Sequence, residues 1–209
     1  ISTDEVFGSL KSGTANEKSV FNPSSPYAAT KAAAELLINS YSKTYNSDVI
    51  ITRCTNNYGP RQYAEKLIPK TIILAKQNKK IPIYGKGTNI RDWIHVDDHC
   101  NGVLTAFLKG KSGESYNISK NNEINNLVIV TKILELMNKS EDLIEFVEDR
   151  PGHDFRYSMN SEKISKELGW KSKVDFEKGI QDTINWYEDH EDYWKDTPSS
   201  VFNPTPWKN

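Results

Sequence analysis

Tyr27 and Lys31 are the residues of this 209-residue chain whose types and spacing most directly indicate chemistry. In a helix, a spacing of four residues puts the phenol and the ammonium on the same face. An ammonium close to a phenol favours the phenolate and lowers the tyrosine pKa. A tyrosine tuned in this way acts as an acid or a base near neutral pH, so the pair predicts a proton-transfer site.

A hydroxyl and two adjacent carboxyl groups lie upstream of this pair, at Thr3, Asp4 and Glu5. Different surroundings can separate the pKa values of two carboxyl groups and give one the role of acid and the other the role of base. An aspartate before a turn is equally common as a helix N-cap and surface acid, and this alternative stays open on the pattern alone.

The context of Tyr27 distinguishes it from a second copy of the same spacing at Tyr116 and Lys120. Ser24 and Ser25 are N-cap candidates, Pro26 suits a first helical turn, and an alanine-rich run follows, so we predict a helix from Tyr27 to about Tyr45. The second copy lies in a predicted strand and turn, where residues four apart do not face each other. We interpret it as coincidental.

Composition limits the classes of partner. The net charge is −1, which gives no electrostatic reason to expect nucleic acid or a membrane surface as a partner. Cys54 and Cys100 are expected to be free thiols in a reducing compartment. The sequence has no apolar stretch of membrane-spanning length and no recognisable signal peptide, so a cytoplasmic protein is expected.

Helix and strand patterns alternate along the chain and predict an α/β fold with a doubly wound sheet. The predicted strands are residues 48–53, 81–84, 90–96, 115–118 and 144–147. The predicted helices are residues 67–77, one capped by Asp97 or Asp98, one capped by Asn126 and ending at Met137, one from Ser161 to a Gly169 C-cap, and residues 176–187. The tail after Trp194 is expected to lie over the surface.

Further polar and aromatic residues have both a functional and a structural interpretation. Asn56 and Asn57 follow a strand end, where open α/β sheets bind ligands, but are also common turn formers. Arg91 and Arg150 offer the planar fork that pairs with a pyrophosphate, although most arginines are surface residues. The ring of Tyr84 suits stacking on a pyrimidine or packing in a core.

His95 and His99 have the spacing of a histidine pair, but they fall on either side of a predicted strand–helix boundary. Two histidines without a further ligand motif rarely form a zinc site, so no metal is predicted.

Several longer segments resemble, in order, the extended short-chain dehydrogenase/reductase family. They are residues 2–8, 24–31, 56–60, 65–69, 82–87, 90–93 and 149–153, and the resemblance extends from Ile1 to about Tyr187. Within this family the nucleotide-sugar 4,6-dehydratases are most similar, mainly because of Thr3, Asp4 and Glu5. Epimerases of the family usually carry small or hydroxyl residues at the last two of these positions.

The resemblance implies the later part of a Rossmann-like doubly wound sheet and a small α/β substrate-binding lobe. Residues 1–60 are expected to be the remainder of the NAD-binding domain, and residues 61–209 mainly the substrate lobe, with some segments returning to the first domain. No glycine-rich dinucleotide turn is present, so roughly the first third of such an enzyme is expected to be missing, and the chain alone to be inactive.

The implied function is NAD-dependent dehydration of a nucleoside-diphosphate hexose, with dTDP-glucose as the expected substrate and a 4-keto-6-deoxy sugar as the product. Thr3 would hydrogen-bond the C4 oxygen, Asp4 protonate the C6 hydroxyl, Glu5 remove the C5 proton, and Tyr27 take the C4 hydroxyl proton. Lys31 would lower the tyrosine pKa and contact the nicotinamide ribose.

The remaining implied contacts divide by ligand. Asn57 would lie on the nicotinamide side and Asn56 near the sugar nucleotide. The diphosphate would be surrounded by Arg91, Asn126, Arg150 and His153. The sugar and base pockets would be lined by Lys66, Leu67, Pro82, Ile83 and Tyr84.

The resemblance also implies a homodimer through the Tyr27 helix. Two alternatives remain open: an epimerase or decarboxylase of the same family, and a non-catalytic fragment that binds a nucleotide sugar.

Overall fold

The computed structural model describes residues 1–208, and the described chain forms two compact units. Unit 1 comprises residues 1–57, 90–123 and 154–174, and unit 2 comprises residues 58–89, 124–153 and those from 175 onward. Each unit is therefore built from three separate stretches of sequence.

The strands are short and the helices range from one to five turns. The strands are β1 (Ser2–Thr3), β2 (Ile51–Cys54), β3 (Asn56–Tyr58), β4 (Ile81–Tyr84), β5 (Ile90–His95), β6 (Ser115–Ile118), β7 (Glu123–Asn125) and β8 (Ile144–Val147). The α-helices are α1 (Pro26–Tyr45), α2 (Leu67–Lys76), α3 (Val96–Lys109), α4 (Asn126–Leu136), α5 (Glu162–Leu168), α6 (Phe176–Asp189) and α7 (Glu191–Trp194). Turns of 3-10 helix lie at Asp4–Phe7, Glu141–Leu143, Ser199–Phe202 and Pro206–Lys208.

Unit 1 contains a parallel sheet in the order β1-β2-β6, in which Ser2 pairs with Arg53 and Thr52 with Tyr116. Side chains from α3, β5, β6 and α5 form a hydrophobic core beside it: Ile94, Ala106, Tyr116, Ile118, Ile164, Leu168 and Trp170. Burial on this scale is the main source of stability of such a unit. The sheet fixes the position of the chain that leaves β1 at Thr3.

Helix α1 starts where its sequence predicts. The Ser25 side chain accepts a hydrogen bond from the Ala28 amide, Pro26 occupies the first turn, and Asn46 ends the helix in the left-handed conformation at φ 51°. These are the features that satisfy unpaired backbone groups at helix ends. Tyr27 and Lys31 consequently lie in the first two turns.

Unit 2 contains the parallel strand pair β4 and β8, with α2 and α4 packed on a shared core. The buried residues of this core are Leu74, Ala75, Ile81, Ile83, Val130 and Leu134. Gly87 makes the turn after β4 possible, because its φ is +68° and a Cβ there would lie 2.8 Å from the Ile83 side chain. A larger residue at this turn would displace α4 or β4.

The α/β fold class is confirmed, and strands 81–84, 115–118 and 144–147 have the predicted bounds. The strand predicted at 48–53 is wrong at its start and begins at Ile51, while Asn56 and Asn57 lie in strand β3 rather than a turn.

Two local predictions of helix caps are also wrong. The N-cap of α3 is His95, whose ring accepts from the Asp97 amide, and Asp98 instead accepts from the Lys173 and Val174 amides. Asn125, not Asn126, caps α4 by accepting from the Val128 amide. The tail after Trp194 lies over the surface as predicted, since no residue from 195 to 208 is buried, and Phe202 packs partly against the core of unit 2.

Candidate active site

The candidate catalytic carboxyl groups follow the carboxyl end of β1. The chain turns there into a 3-10 helix that Thr3 caps, its Oγ1 accepting from the Glu5 amide at 3.3 Å and donating to Asp4 Oδ1 at 3.1 Å. Gly8 closes the turn at φ +69°, where a Cβ would lie 2.1 Å from the Asn22 carbonyl oxygen. The backbone thus holds Thr3, Asp4 and Glu5 together in a fixed arrangement.

Asp4 is buried, and its Oδ2 has no hydrogen-bond partner among residues 1–208. Burial, followed by repulsion from Glu5, raises the Asp4 pKa to about 7, although the Thr3 hydroxyl and Arg91 act in the opposite direction. A carboxyl group with such a pKa carries its proton through much of the neutral range and can donate it. Asp4 therefore has the properties of a general acid.

Tyr27 lies beside this carboxyl pair, and its side chain is 53% exposed. The Thr3 side chain neighbours the phenol and acts to lower its pKa. Burial, then the negative charge of Glu5, raises the Tyr27 pKa above its ordinary value. The lowered pKa that the Tyr27–Lys31 spacing predicted is therefore wrong for this structure.

Lys31 directs its ammonium to the Ile1 carbonyl oxygen at 2.8 Å. This contact orients the ammonium toward the start of β1, on the same helix face as Tyr27. The structure brings together the residues predicted to be catalytic: Thr3 contacts Asp4 and Glu5, the charges of both carboxyl groups act on Tyr27, and Lys31 binds the start of the same strand.

Tyr157 joins this group and was not predicted. Its hydroxyl lies 2.6 Å from Asp154 Oδ2 and 3.5 Å from Glu5 Oε2, and Ser24 also donates to Asp154. Burial and the hydrogen bond to Asp154 raise the Tyr157 pKa. Asp154 directly follows the 149–153 segment and Tyr157 lies three residues further on, and this adjacency was the signal that could have identified them.

Arg91 contacts the same network. Its guanidinium donates to the Ile90, Phe155 and Asp154 carbonyl oxygens and lies 4.3 Å from the centre of the Tyr157 ring. Its predicted contact with a diphosphate stays a prediction.

Asn56 and Asn57 are half-buried in β3. The Asn57 side chain donates to the Thr55 carbonyl oxygen at 3.1 Å and hydrogen-bonds Cys54, whose thiol pKa burial raises to about 12. The assignment of these asparagines to the cofactor and the sugar nucleotide stays a prediction.

The predicted nucleotide contacts in unit 2 centre on Tyr84, at the carboxyl end of β4. The Trp207 ring packs edge-on against it at 4.8 Å, and His153 lies 6.3 Å away, held by a 2.6 Å contact to Asp149. Burial raises the Tyr84 pKa, whereas the positive charge of Arg150 lowers it. Aromatic, imidazole and guanidinium groups thus lie together, the kind of arrangement that suits a base and a phosphate.

The other residues predicted to line this pocket differ in how accessible their side chains are to a ligand. Lys66 pairs with Glu65 at 2.7 Å on the surface, and Leu67 packs partly against the core. Pro82 and Ile83 are buried in β4, and the Ile83 side chain lies in the hydrophobic core, so it can contact a ligand only through its backbone. The Asn126 Oδ1 is buried without a partner in the described chain.

The described residues offer neither a metal centre nor a membrane-spanning helix. Among residues 1–208, no group of three or more His, Cys, Asp or Glu side chains is placed to hold a metal ion, and Cys54 and Cys100 are free. No helix in the same part of the chain has the length and hydropathy needed to cross a bilayer.

The chain is similar in sequence and in structure to known proteins over most of its length. The chain is 45% identical over 195 residues to a dTDP-glucose 4,6-dehydratase of Streptomyces niveus. This match covers 93% of the chain and 58% of the relative. The crystal structure of dTDP-glucose 4,6-dehydratase from Bacillus anthracis in complex with NAD superimposes with a TM-score of 0.90 at 49% identity, covering 93% of this chain and 62% of that one.

A more distant structure is UDP-glucuronic acid 4-epimerase from Bacillus cereus, in complex with UDP-glucuronic acid and NAD. It superimposes with a TM-score of 0.85 at 28% identity and covers 90% of this chain and 60% of that one. The chain spans between 56% and 62% of the length of the curated relatives it matches. The profile of the GDP-mannose 4,6-dehydratase family matches residues 1–183. With most of its length matched in this way, the chain belongs to the GDP-mannose 4,6-dehydratase family, within the extended short-chain dehydrogenases/reductases.

Proposed function

We propose that the full-length form of this protein dehydrates dTDP-glucose to its 4-keto-6-deoxy product with NAD as cofactor. The observation that carries the proposal is the buried Asp4, with its pKa raised to about 7, next to Glu5 and Tyr27. Elimination of water needs one group that donates a proton and another that removes one. An inversion at C4 needs no such pair of carboxyl groups.

The residues of unit 1 fit the nicotinamide end of an NAD molecule. Tyr27 is half-exposed beside the Thr3 hydroxyl, and the Lys31 ammonium lies on the same face of α1. When bound, NAD supplies a hydride acceptor at C4 and a hydride donor at C6. Lys31 and Tyr27 would hold it from this side, and the glycine-rich turn that binds a pyrophosphate is not among the residues of this chain.

The side chains of unit 1 would move three protons. Tyr27 would take the proton of the C4 hydroxyl in its phenolate form, which the positive charge of bound NAD would favour, and the neighbouring Thr3 hydroxyl would orient the sugar hydroxyl. The resulting C4 ketone acidifies the C5–H bond, and Glu5 removes that proton. Asp4 gives its proton to the C6 oxygen as water leaves, a role for which its raised pKa prepares it.

We assign recognition of the nucleotide to unit 2. Tyr84 offers a ring face for a pyrimidine, and Arg150 and His153 offer donors for the diphosphate. Asn126, at the first turn of α4, adds an amide at a helix N-terminus, where anions are favoured. These contacts are the basis for proposing a nucleoside diphosphate rather than a free sugar.

We also propose that the protein forms a homodimer through α1 and α3 of unit 1. Both helices expose apolar side chains: Leu36 (62%), Leu37 (59%), Tyr41, Tyr45, Leu104, Phe107 (78%) and Leu108. Apolar groups left in water along two helices favour burial against a partner, and a second copy offers the same faces. The free Cys54 and Cys100 suit a reducing location, which we propose to be the cytoplasm.

The assignment of the two carboxyl groups is tested in a full-length form of the protein. Glu5→Gln should still allow oxidation at C4 but block exchange of the C5 proton with solvent, because no base remains to remove it. Asp4→Asn should slow the loss of water while leaving that exchange intact. The measurements are single-turnover NADH absorbance and deuterium incorporation at C5. Unchanged exchange in Glu5→Gln would show that another residue is the base.

A further inference from the structure

A buried ion pair links α1, the helix that carries Tyr27 and Lys31, to strand β2. Arg53 of β2 binds Glu35 of α1 through Nε, at 2.9 and 3.1 Å from the two carboxylate oxygens, and through Nη2 at 2.6 Å from Oε2. Each side chain is only 3% exposed. Two charges removed from water in this way remain favourable only with close, multiple hydrogen bonds, which this pair has.

The rest of the Arg53 guanidinium contacts other side chains of unit 1. Its Nη1 lies 3.4 Å from Ser115 Oγ and 3.3 Å from Asn117 Oδ1. The rings of Phe7 and Phe21 lie 5.2 and 5.4 Å from its central carbon, within the range of cation–π attraction. The guanidinium is therefore held in place independently of Glu35.

Glu35 lies four residues after Lys31, on the same side of α1. This is the spacing at which a lysine and a glutamate on a helix form an ion pair. Lys31 instead donates to the Ile1 carbonyl oxygen, and the Glu35 carboxylate is directed to Arg53. A glutamate carboxylate released from Arg53 would be buried, unpaired and within one helical turn of the Lys31 ammonium.

We infer that Arg53 is a positioning residue for the catalytic lysine: by occupying Glu35, it prevents Glu35 from drawing Lys31 away from Tyr27. This inference rests on the proposed function, because the consequence for catalysis requires that Tyr27 and Lys31 perform proton transfer. Arg53 itself contacts neither the phenol nor the ammonium in the described interactions. Its effect is transmitted through the carboxylate that it holds.

The inference predicts an asymmetry between two substitutions that remove the same ion pair. Arg53→Gln leaves the Glu35 carboxyl group without its partner and one helical turn from Lys31, whereas Glu35→Gln leaves no competing carboxyl group. Because general acid–base catalysis contributes about 10²–10⁴-fold, we expect kcat of the full-length enzyme to fall at least about tenfold in Arg53→Gln and less than about threefold in Glu35→Gln. A purely structural role predicts similar losses, because either change breaks a buried pair.

The double variant Glu35→Gln/Arg53→Gln provides the rescue. It contains no buried charge at this position, so it should fold even if Arg53→Gln does not. Its kcat should return to within about threefold of wild type, a much smaller loss than the roughly 10²–10⁴-fold typical of lost acid–base catalysis. Ile164→Val, in the core of unit 1, is the control for reduced stability and should leave kcat unchanged. The inference is overturned if the kcat of the double variant is as low as that of Arg53→Gln. If Arg53→Gln cannot be prepared, a kcat of the double variant more than about threefold below wild type overturns it.

A crystal structure of the present chain gives a readout that does not depend on activity. In Arg53→Gln, Lys31 Nζ should leave the Ile1 carbonyl oxygen and lie within ion-pair distance of Glu35, and in the double variant it should return. If wild type shows no dehydratase activity but Lys31 moves in this way, the proposed function fails and the positioning by Arg53 stands. If Lys31 keeps its wild-type contact in the crystal structure of Arg53→Gln, the inference is wrong whatever the activity.

Discussion

The buried carboxyl group of Asp4 should make the stability of this chain depend on pH in a defined way. Its pKa is raised from 3.8 to about 7, mainly by burial and then by Glu5. Between these two values the folded chain retains a proton that the unfolded chain has lost. The free energy of unfolding contributed by Asp4 is therefore highest below pH 3.8, falls as the pH rises toward 7, and is constant above it.

The size of the effect follows from the shift. Each pKa unit corresponds to 1.36 kcal/mol, so the two units between about pH 5 and the folded pKa of about 7 amount to about 3 kcal/mol. Asp4→Asn replaces the carboxyl group with an amide that does not ionise. The variant should therefore gain about 3 kcal/mol relative to wild type between about pH 5 and about pH 8.

The assay is urea unfolding of wild type and Asp4→Asn at the two pH values, followed by circular dichroism. Comparing the change between the two proteins removes the contributions of all other titrating groups. Asp182→Asn on α6 is the matched control, because its carboxyl group is 52% exposed and pairs with Lys178 at the surface. The control should change the free energy of unfolding equally at both pH values.

The reasoning fails if wild type and Asp4→Asn show the same pH dependence. That result would mean that Asp4 ionises in the folded chain as readily as in water. It would also remove the physical basis for assigning Asp4 as the acid that protonates the departing hydroxyl.

Three further predictions concern the proton-transfer pair, the cofactor and the dimer. Tyr27→Phe should lower turnover of the full-length enzyme by about 10²–10⁴-fold in steady-state assays, because it removes the group proposed to take the C4 proton. Lys31→Met should raise the NAD concentration needed for half-maximal rate, because it removes an ammonium proposed to hold the cofactor. Lys120→Met, which removes a bond to the Val174 carbonyl oxygen, should do neither. The present chain should bind NAD weakly in equilibrium dialysis, and NAD retained stoichiometrically through purification would contradict this. Phe107→Glu should convert the dimer to a monomer in sedimentation velocity, while the same change at the exposed Phe155, outside α1 and α3, should not.

Local sequence features determine the parts of the fold that could be predicted. Helix α1 is recognisable because Ser25, Pro26 and an alanine-rich run act within a few residues of each other. Strands β4 and β6 match their predicted bounds because short apolar runs are limited by turn residues. The N-cap of α3 was missed because His95 rather than an aspartate supplies the acceptor.

The candidate site could be predicted only in part, because its environment depends on residues far apart in sequence. Ser24 and Asp154 are separated by 130 residues, and Glu5 and Tyr157 by 152. The spacing of Tyr27 and Lys31 indicates their shared helix face but not the burial and the Glu5 charge that raise the tyrosine pKa. The order of the motifs therefore suggests candidate site residues, whereas the ionisation of those residues depends on the tertiary structure.

The most direct test of the account is the product formed from dTDP-glucose by the full-length enzyme in deuterated water. Proton NMR should show a 4-keto-6-deoxy sugar with deuterium at C5, because the proposed mechanism has Glu5 remove the C5 proton and Asp4 assist the loss of water. Recovery of a C4 epimer that keeps its C6 hydroxyl and its C5 proton would contradict the account, since neither carboxyl group would then have a role in the reaction.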